Sequence, residues 1–113
     1  MVKHGIVQDM EKRGIEFVHV YGVDNILVQV ADPAFTGFLA EKKLAVGAKV
    51  IVKQDPTEKV GHICLKDGKY DVVEYSEIDP TVAELRRADG GLVFSAGSIA
   101  NHLYTMDFVK LAW

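Results

Sequence analysis

Two short polar stretches in this chain could do chemistry, and each closes an apolar run. Asp24-Asn25 follows Ile15 to Val23, and Glu74-Tyr75-Ser76-Glu77 follows Asp71-Val72-Val73. Ligands of open α/β sheets gather outside the carboxyl ends of the strands, so the Asp24-Asn25 pair lies where such a fold places chemistry, and Asp24 is the first residue to suspect. Asp and Asn also favour turns through their own backbone, which gives Asp24 a purely local reading of equal weight. Glu74 and Tyr75 offer an acceptor and a phenol of the kind that holds sugar hydroxyls in a polyol pocket. A solvated acidic turn at a strand edge fits the same four residues equally well.

Other chemistries find no support. The four histidines, His4, His19, His62 and His102, are too scattered for a metal-ligand motif, and no Cys or carboxylate completes one. There is no Gly-x-Ser-x-Gly elbow and no Gly-x-x-x-x-Gly-Lys-Ser/Thr loop. The single cysteine, Cys64, lies between Ile63 and Leu65 and is expected to be a small buried hydrophobe, not a nucleophile. It excludes an internal disulfide and fits a reducing, cytoplasmic setting.

The 113 residues carry 16 acidic and 13 basic side chains, a formal charge of −3, with no basic run able to follow a phosphate backbone. Nucleic acid is not an expected partner. With 49% hydrophobic and 26% charged residues the chain has the composition of one soluble globular domain. No apolar stretch reaches the roughly 20 residues needed to span a bilayer, and the N-terminus has no signal-peptide core, so no membrane is expected.

The elements that must position the polar stretches follow from periodicity. Phe17, Val18, Val20, Tyr21 and Val23 are β-branched or aromatic with little alternation, as in a strand buried on both faces in the middle of a mainly parallel sheet. Lys3 to Arg13 is expected to be a short helix ended by Gly14. Ile26 to Ala31 reads as a second strand, and Asp32-Pro33 starts a helix to about Leu44 with a stripe of Phe35, Phe38 and Leu39. Ala48 to Gln54 reads as a further strand. Asp67-Gly68 joins two strands, Val60 to Leu65 and Tyr70 to Tyr75, in a hairpin that makes the sheet mixed. Asp79-Pro80 starts a helix through Ala88, and Thr105 caps a last short helix.

Five blocks now carry a resemblance: His19-Val20-Tyr21-Gly22-Val23-Asp24-Asn25, Val28-Gln29-Val30-Ala31-Asp32-Pro33, Gly47-Ala48-Lys49-Val50, Pro56 to Gly61, and Val72-Val73-Glu74-Tyr75-Ser76-Glu77. In order and spacing the chain resembles the eukaryotic-type UDP-N-acetylhexosamine pyrophosphorylases, with UDP-sugar and UDP-glucose pyrophosphorylases close behind. The resemblance covers essentially the whole chain. It implies a partial Rossmann-like nucleotidyltransferase domain, α/β with a mixed sheet and a β-hairpin insertion. It also implies a uridylyltransferase that converts UTP and N-acetylhexosamine 1-phosphate to UDP-N-acetylhexosamine and pyrophosphate.

Carried over by position, the resemblance makes Asp24 the catalytic, Mg²⁺-binding carboxylate, Gly61 the point of close backbone approach to the sugar, and Glu74 with Tyr75 its hydroxyl and N-acetyl contacts. Ser98 stands where the family commonly has an Asn against the sugar, and a hydroxyl is shorter and lacks the amide's paired donor and acceptor. The family's glycine-rich, Arg-containing nucleotide loop and its second basic phosphate contact are not within these residues. The expectation is therefore an internal fragment of a catalytic domain, residues 1–113, inactive alone and self-associating through exposed edges. A non-catalytic sugar-nucleotide binding module is the alternative, as is a fragment of a UDP-glucose or UDP-sugar pyrophosphorylase, or a domain that has lost all function.

Overall fold

A computed structural model describes residues 4–112; Lys3, the expected start of the first helix, and Trp113 lie outside the described residues. The elements in chain order are α1 (Ile6–Lys12), β1 (Phe17–Tyr21), α2 (Pro33–Lys42), β2 (Val46–Val52), β3 (Gly61–Lys66), β4 (Lys69–Val73), α3 (Pro80–Ala83), β5 (Ala96–Thr105) and α4 (Met106–Ala112). They divide into two compact units, one formed by the residues up to 48 with those from 100 onward, the other by Lys49–Ile99.

In the first unit α1 ends as expected: Gly14 takes a φ of +68°, and the Gly14 and Ile15 amides return to the Glu11 and Met10 carbonyls at 2.9 and 3.1 Å. Val7 of α1 packs with Met106 and Val109 of α4 in a small core, flanked by Met10, Val18 and Tyr104. Thr105 Oγ1 accepts the Phe108 N–H at 3.3 Å, so the expected cap of α4 is present. Asp32 caps α2 by accepting the Ala34 N–H at 3.0 Å, with Pro33 in the first turn. Leu39 is fully buried, but Phe38 is 52% exposed, so the expected three-residue stripe narrows to Phe35 and Leu39, four residues apart on one face.

Two expectations for this unit are corrected. β1 pairs antiparallel with β5, Phe17 opposite Thr105 through Tyr21 opposite Asn101, and its side chains are half-buried or exposed instead of buried on both faces. Aromatic and β-branched content marked a strand, but burial depends on neighbours that composition does not reveal. Ile26 to Ala31 is not a strand. Consecutive turns use its backbone: the Val28 N–H reaches the Asn25 carbonyl at 3.2 Å, the Leu27 N–H reaches Asn25 Oδ1 at 3.1 Å, and Ala31 adopts a φ of +52°.

In the second unit β3 and β4 form the expected hairpin, His62 opposite Val73 through Lys66 opposite Lys69. Asp67 and Gly68, at φ +52° and +76°, make the two-residue turn with both central residues left-handed. Gly61 and His62 of β3 pair with Ser98 and Gly97 of β5. Asp79 caps α3 through Thr81, but the helix stops after four residues, well short of Ala88. A second small hairpin takes over. The Val93 N–H bonds the Leu85 carbonyl at 2.9 Å, the Arg87 N–H bonds the Gly91 carbonyl at 2.7 Å, and Gly90 supplies a φ of +84°. The Gly90-Gly91 pair thus acts further back than a helix terminator would, drawing residues 85–93 out of the helix.

Candidate functional site

Asp24 sits in the turn that follows β1. The Asn25 N–H bonds the Gly22 carbonyl at 3.2 Å, and the Gly22 N–H bonds the Ala100 carbonyl at 3.1 Å. The turn-forming side chain is Asn25, through its bond to Leu27, whereas the exposed Asp24 carboxylate makes no hydrogen bond or ion pair among the described residues. It folds back over the preceding glycine: a Cβ on Gly22 would lie 2.8 Å from Asp24 Oδ1. The local reading of Asp24 as a turn former therefore falls to its neighbour.

His19 holds this loop to the strand pair. Its Nε2 donates to Asn101 Oδ1 at 2.8 Å and its Nδ1 accepts the Ala31 N–H at 3.4 Å, which fixes a neutral ring with the proton on Nε2. The ring also contacts Tyr21, centroid to centroid 5.0 Å, and Phe35 edge-on at 6.3 Å. No sequence spacing signals His19 as a functional residue, because its partners are 12 and 82 residues away.

The sugar-facing candidates lie in the second unit. Gly61 opposes Ser98 across β3 and β5, and a Cβ at Gly61 would lie 2.9 Å from Val72 Cγ1, 3.6 Å from Ser98 Cβ and 3.7 Å from Glu74 Oε1. Glycine is thus required for the close approach, and two of the other three candidates, Ser98 and Glu74, lie around it. The Glu74 carbonyl accepts the Glu77 and Ile78 N–H groups at 2.9 and 3.2 Å, which ties down the turn after β4. Tyr75, the next residue, lines a cavity of about 200 Å³ together with His62, Thr57 and Glu58.

Behind this group lies a buried pair that sequence reasoning missed. Lys53 is 2% exposed and His62 1% exposed, with Lys53 Nζ 2.7 Å from His62 Nε2. Burial, and then the Lys53 charge, hold the imidazole below its ordinary pKa. The Val73 carbonyl approaches the ring closely enough to favour the proton, yet Nδ1 remains buried without a hydrogen bond. Over the pair folds the 54–58 turn: Glu58 Oε1 accepts the Gln54 and Asp55 amides at 2.9 and 3.0 Å, and Asp55 accepts the Thr57 amide and hydroxyl. Those bonds hold both carboxyls below the usual carboxylate range.

Among the described residues no group of three or more His, Cys, Asp or Glu side chains gathers to hold a metal. No described helix is long and apolar enough to cross a membrane. A lone exposed carboxylate does fit magnesium, which is commonly held by one or two carboxylates with substrate phosphates completing its shell.

Residues 1–111 match the family model described as UTP–glucose-1-phosphate uridylyltransferase. The chain belongs to this family. It is 55% identical over 107 residues to the UDP-N-acetylhexosamine pyrophosphorylase-like protein 1 of Homo sapiens, covering 95% of this chain and 21% of that protein. It is 43% identical over 103 residues to the UDP-N-acetylglucosamine pyrophosphorylase of Saccharomyces cerevisiae, covering 91% and 22%. Among solved structures, the uridine diphosphate N-acetylglucosamine pyrophosphorylase of Trypanosoma brucei in complex with an inhibitor superposes with a TM-score of 0.87 at 37% identity, over 95% of this chain and 20% of that one. The chain thus spans about a fifth of the length of these relatives. The fold class and the family expected from the five blocks hold.

Proposed function

We propose that this chain is part of the catalytic domain of a uridylyltransferase of the UDP-N-acetylhexosamine pyrophosphorylase kind, and that it supplies the metal carboxylate and half of the sugar pocket. In the reaction a sugar 1-phosphate oxygen attacks the α-phosphorus of UTP, the bond to the β-phosphate oxygen breaks, and pyrophosphate leaves. Catalysis of this kind rests on positioning and charge neutralisation. The observation that carries the reading is the meeting of Gly61, Ser98 and Glu74, where a bare backbone lies beside a hydroxyl and a carboxylate. Glu74 accepts from sugar hydroxyls there, Ser98 donates or accepts, and the absence of a side chain at Gly61 lets the ring approach. Tyr75 adds its phenol at the rim.

Asp24 would hold Mg²⁺, which when bound neutralises the phosphate charge that develops in the transfer. Among the described residues the Asp24 carboxylate engages no hydrogen bond or ion pair, which leaves both oxygens available for that role. Cytoplasmic residence, suited to the lone thiol of Cys64, belongs to the same proposal. So does self-association through exposed apolar side chains, with Val23 and Ile26 at 94% and 93% exposure the foremost. A compact monomer on size-exclusion chromatography would count against the latter.

The test is a chimera in which these residues replace the matching segment of a full-length relative, assayed for pyrophosphate release from UTP with N-acetylglucosamine 1-phosphate and with glucose 1-phosphate. Retained transfer that is lost on Glu74→Gln supports the proposal, and transfer insensitive to Glu74 sinks it. The 113-residue chain alone is expected to release no pyrophosphate. Saturable binding of UDP-N-acetylglucosamine by that chain, with an inactive chimera, would favour the binding-module reading instead.

A further inference from the structure

The Lys53–His62 bond lies one residue from the Gly61–Ser98 rung, and the stem of Lys53 passes directly over the next one. Gly97 opposes His62, and a Cβ on Gly97 would meet Lys53 Cγ at 3.1 Å, Ile51 Cγ1 at 3.0 Å and Val60 Cγ2 at 2.9 Å. Only a hydrogen at position 97 leaves room for the lysine stem. The backbone of Lys53 is pinned as well, its N–H bonding the Ser95 carbonyl at 2.8 Å, three residues before Ser98. Lys53 therefore holds β5 from one side through Ser95 and Gly97, and β3 through the His62 ring.

The bond has one polarity. An ammonium has donors only, so His62 Nε2 accepts and the ring carries its proton on Nδ1. A protonated His62 would point a second donor at Lys53 Nζ, and the two cations could not stay 2.7 Å apart. Other charged and titratable groups around the ring are Glu58 from the 54–58 turn, Tyr75 after β4 and Glu84 at the end of α3, all lining the same cavity, with Glu74 beside Gly61. Asp55 and Glu58 both feel the Lys53 charge, but their carboxylate oxygens are committed to backbone amides of their own turn. Neither forms an ion pair with Lys53, so the imidazole is the group that satisfies the buried ammonium; among the described residues Nζ has beyond it only the Pro56 carbonyl at 3.5 Å.

We propose that Lys53 and His62 are positioning residues for the Gly61–Ser98 rung, and that the rung keeps its geometry only while the imidazole is neutral and accepts from the buried ammonium. The proposal takes its functional importance from the sugar-pocket reading above. Its structural content stands apart from that reading. Protonating His62 breaks the bond, frees the lysine stem over Gly97, and shifts Gly61 relative to Ser98.

The test uses the 113-residue chain, isotopically labelled, followed by NMR across the titration of the His62 ring, with cross-strand NOEs between Gly61 and Ser98 as the readout. In the parent chain the NOEs are expected to be lost as His62 protonates, while those between Ile63 and Val72 in the hairpin persist. His62→Gln keeps an acceptor for Lys53 but does not titrate, so its rung NOEs are expected at every pH. Lys53→Met, nearly isosteric, is expected to lose them even at neutral pH. Rung NOEs that survive in the folded parent chain with His62 charged overturn the proposal, as does a folded Lys53→Met chain with the rung intact. Should Lys53→Met not fold, the parent and His62→Gln titrations decide alone. N-acetylglucosamine 1-phosphate added afterwards separates the two claims. Rung coupling without ligand shifts at Gly61 defeats only the sugar reading, and ligand shifts without rung coupling defeat only this one.

Discussion

His19 and Asn101 are joined across β1 and β5 by a 2.8 Å hydrogen bond from Nε2 to Oδ1, and the other ring nitrogen takes the Ala31 N–H. One imidazole thereby connects a strand pair to the loop that presents Asp24. Asn101 is 3% exposed, so Asn101→Ala leaves a donor of His19 without an acceptor in a poorly hydrated place. The expected cost is about 1–3 kcal/mol. Urea denaturation of the folded chain reads it, and an unchanged midpoint would show that water replaces the amide.

Asp24→Asn is expected to leave stability within about 0.5 kcal/mol of the parent, because the carboxylate is exposed and engages no partner among the described residues. In the chimeric enzyme the same change should remove Mg²⁺-dependent transfer. Wild-type rates in that assay would take the metal role away from Asp24.

Ser98→Asn tests the sugar side. The longer amide reaches further from the rung with a donor and an acceptor, so in the chimera it should favour N-acetylglucosamine 1-phosphate over glucose 1-phosphate. A gain of about 1 kcal/mol, roughly five-fold in kcat/KM ratio, matches one added hydrogen bond. An unchanged ratio would mean that position 98 does not read the N-acetyl group.

Stability should fall in acid in two stages. The folded pKa of His62 is lowered from 6.5, by burial first and the Lys53 charge second. The unfolded chain therefore binds the proton first, and stability declines as pH drops below about 6.5. His102, also lowered from 6.5 by burial, contributes in the same direction, so His62→Leu should flatten the step only in part. The second stage belongs to Asp55, Asp79 and Asp89, whose bonds to Thr57, Thr81 and Gly91 hold them below 3.8. Their contribution is complete above that value and disappears as pH falls through the lowered pKa values. Thermal melts across the acid range, with a single transition in pH dependence, would contradict this order.

Local signals were legible where one residue type controls the backbone. The Asp-Pro caps at Asp32 and Asp79, Gly14 after α1, and Asp67-Gly68 in the hairpin all acted as the sequence pattern requires. Extents were not legible where long-range pairing decides them. Ile26 to Ala31 has strand composition but spends its backbone on turns, and the helix after Asp79 yields at Leu85 to a pairing with Val93. The candidate site divides in the same way. Glu74 and Gly61 lie in blocks that carry the family resemblance and Ser98 at a position where the chain departs from it, whereas Lys53 with His62 and His19 with Asn101 are contacts between residues 9 and 82 positions apart, for which no local spacing exists.

Ala31 and Ala100 both hold a left-handed φ of +52°, and each contributes a backbone group to the frame around Asp24: the Ala31 amide to His19, the Ala100 carbonyl to Gly22. A left-handed alanine costs roughly 1–2 kcal/mol that glycine would not. The chain therefore carries a tension that selection for stability alone would relieve by two glycines. Keeping alanine trades thermal tolerance for a narrower range of loop shapes, because glycine would also admit many other conformations. The carboxylate of Asp24 is thus presented by a loop whose shape is held against the local preferences of its own backbone.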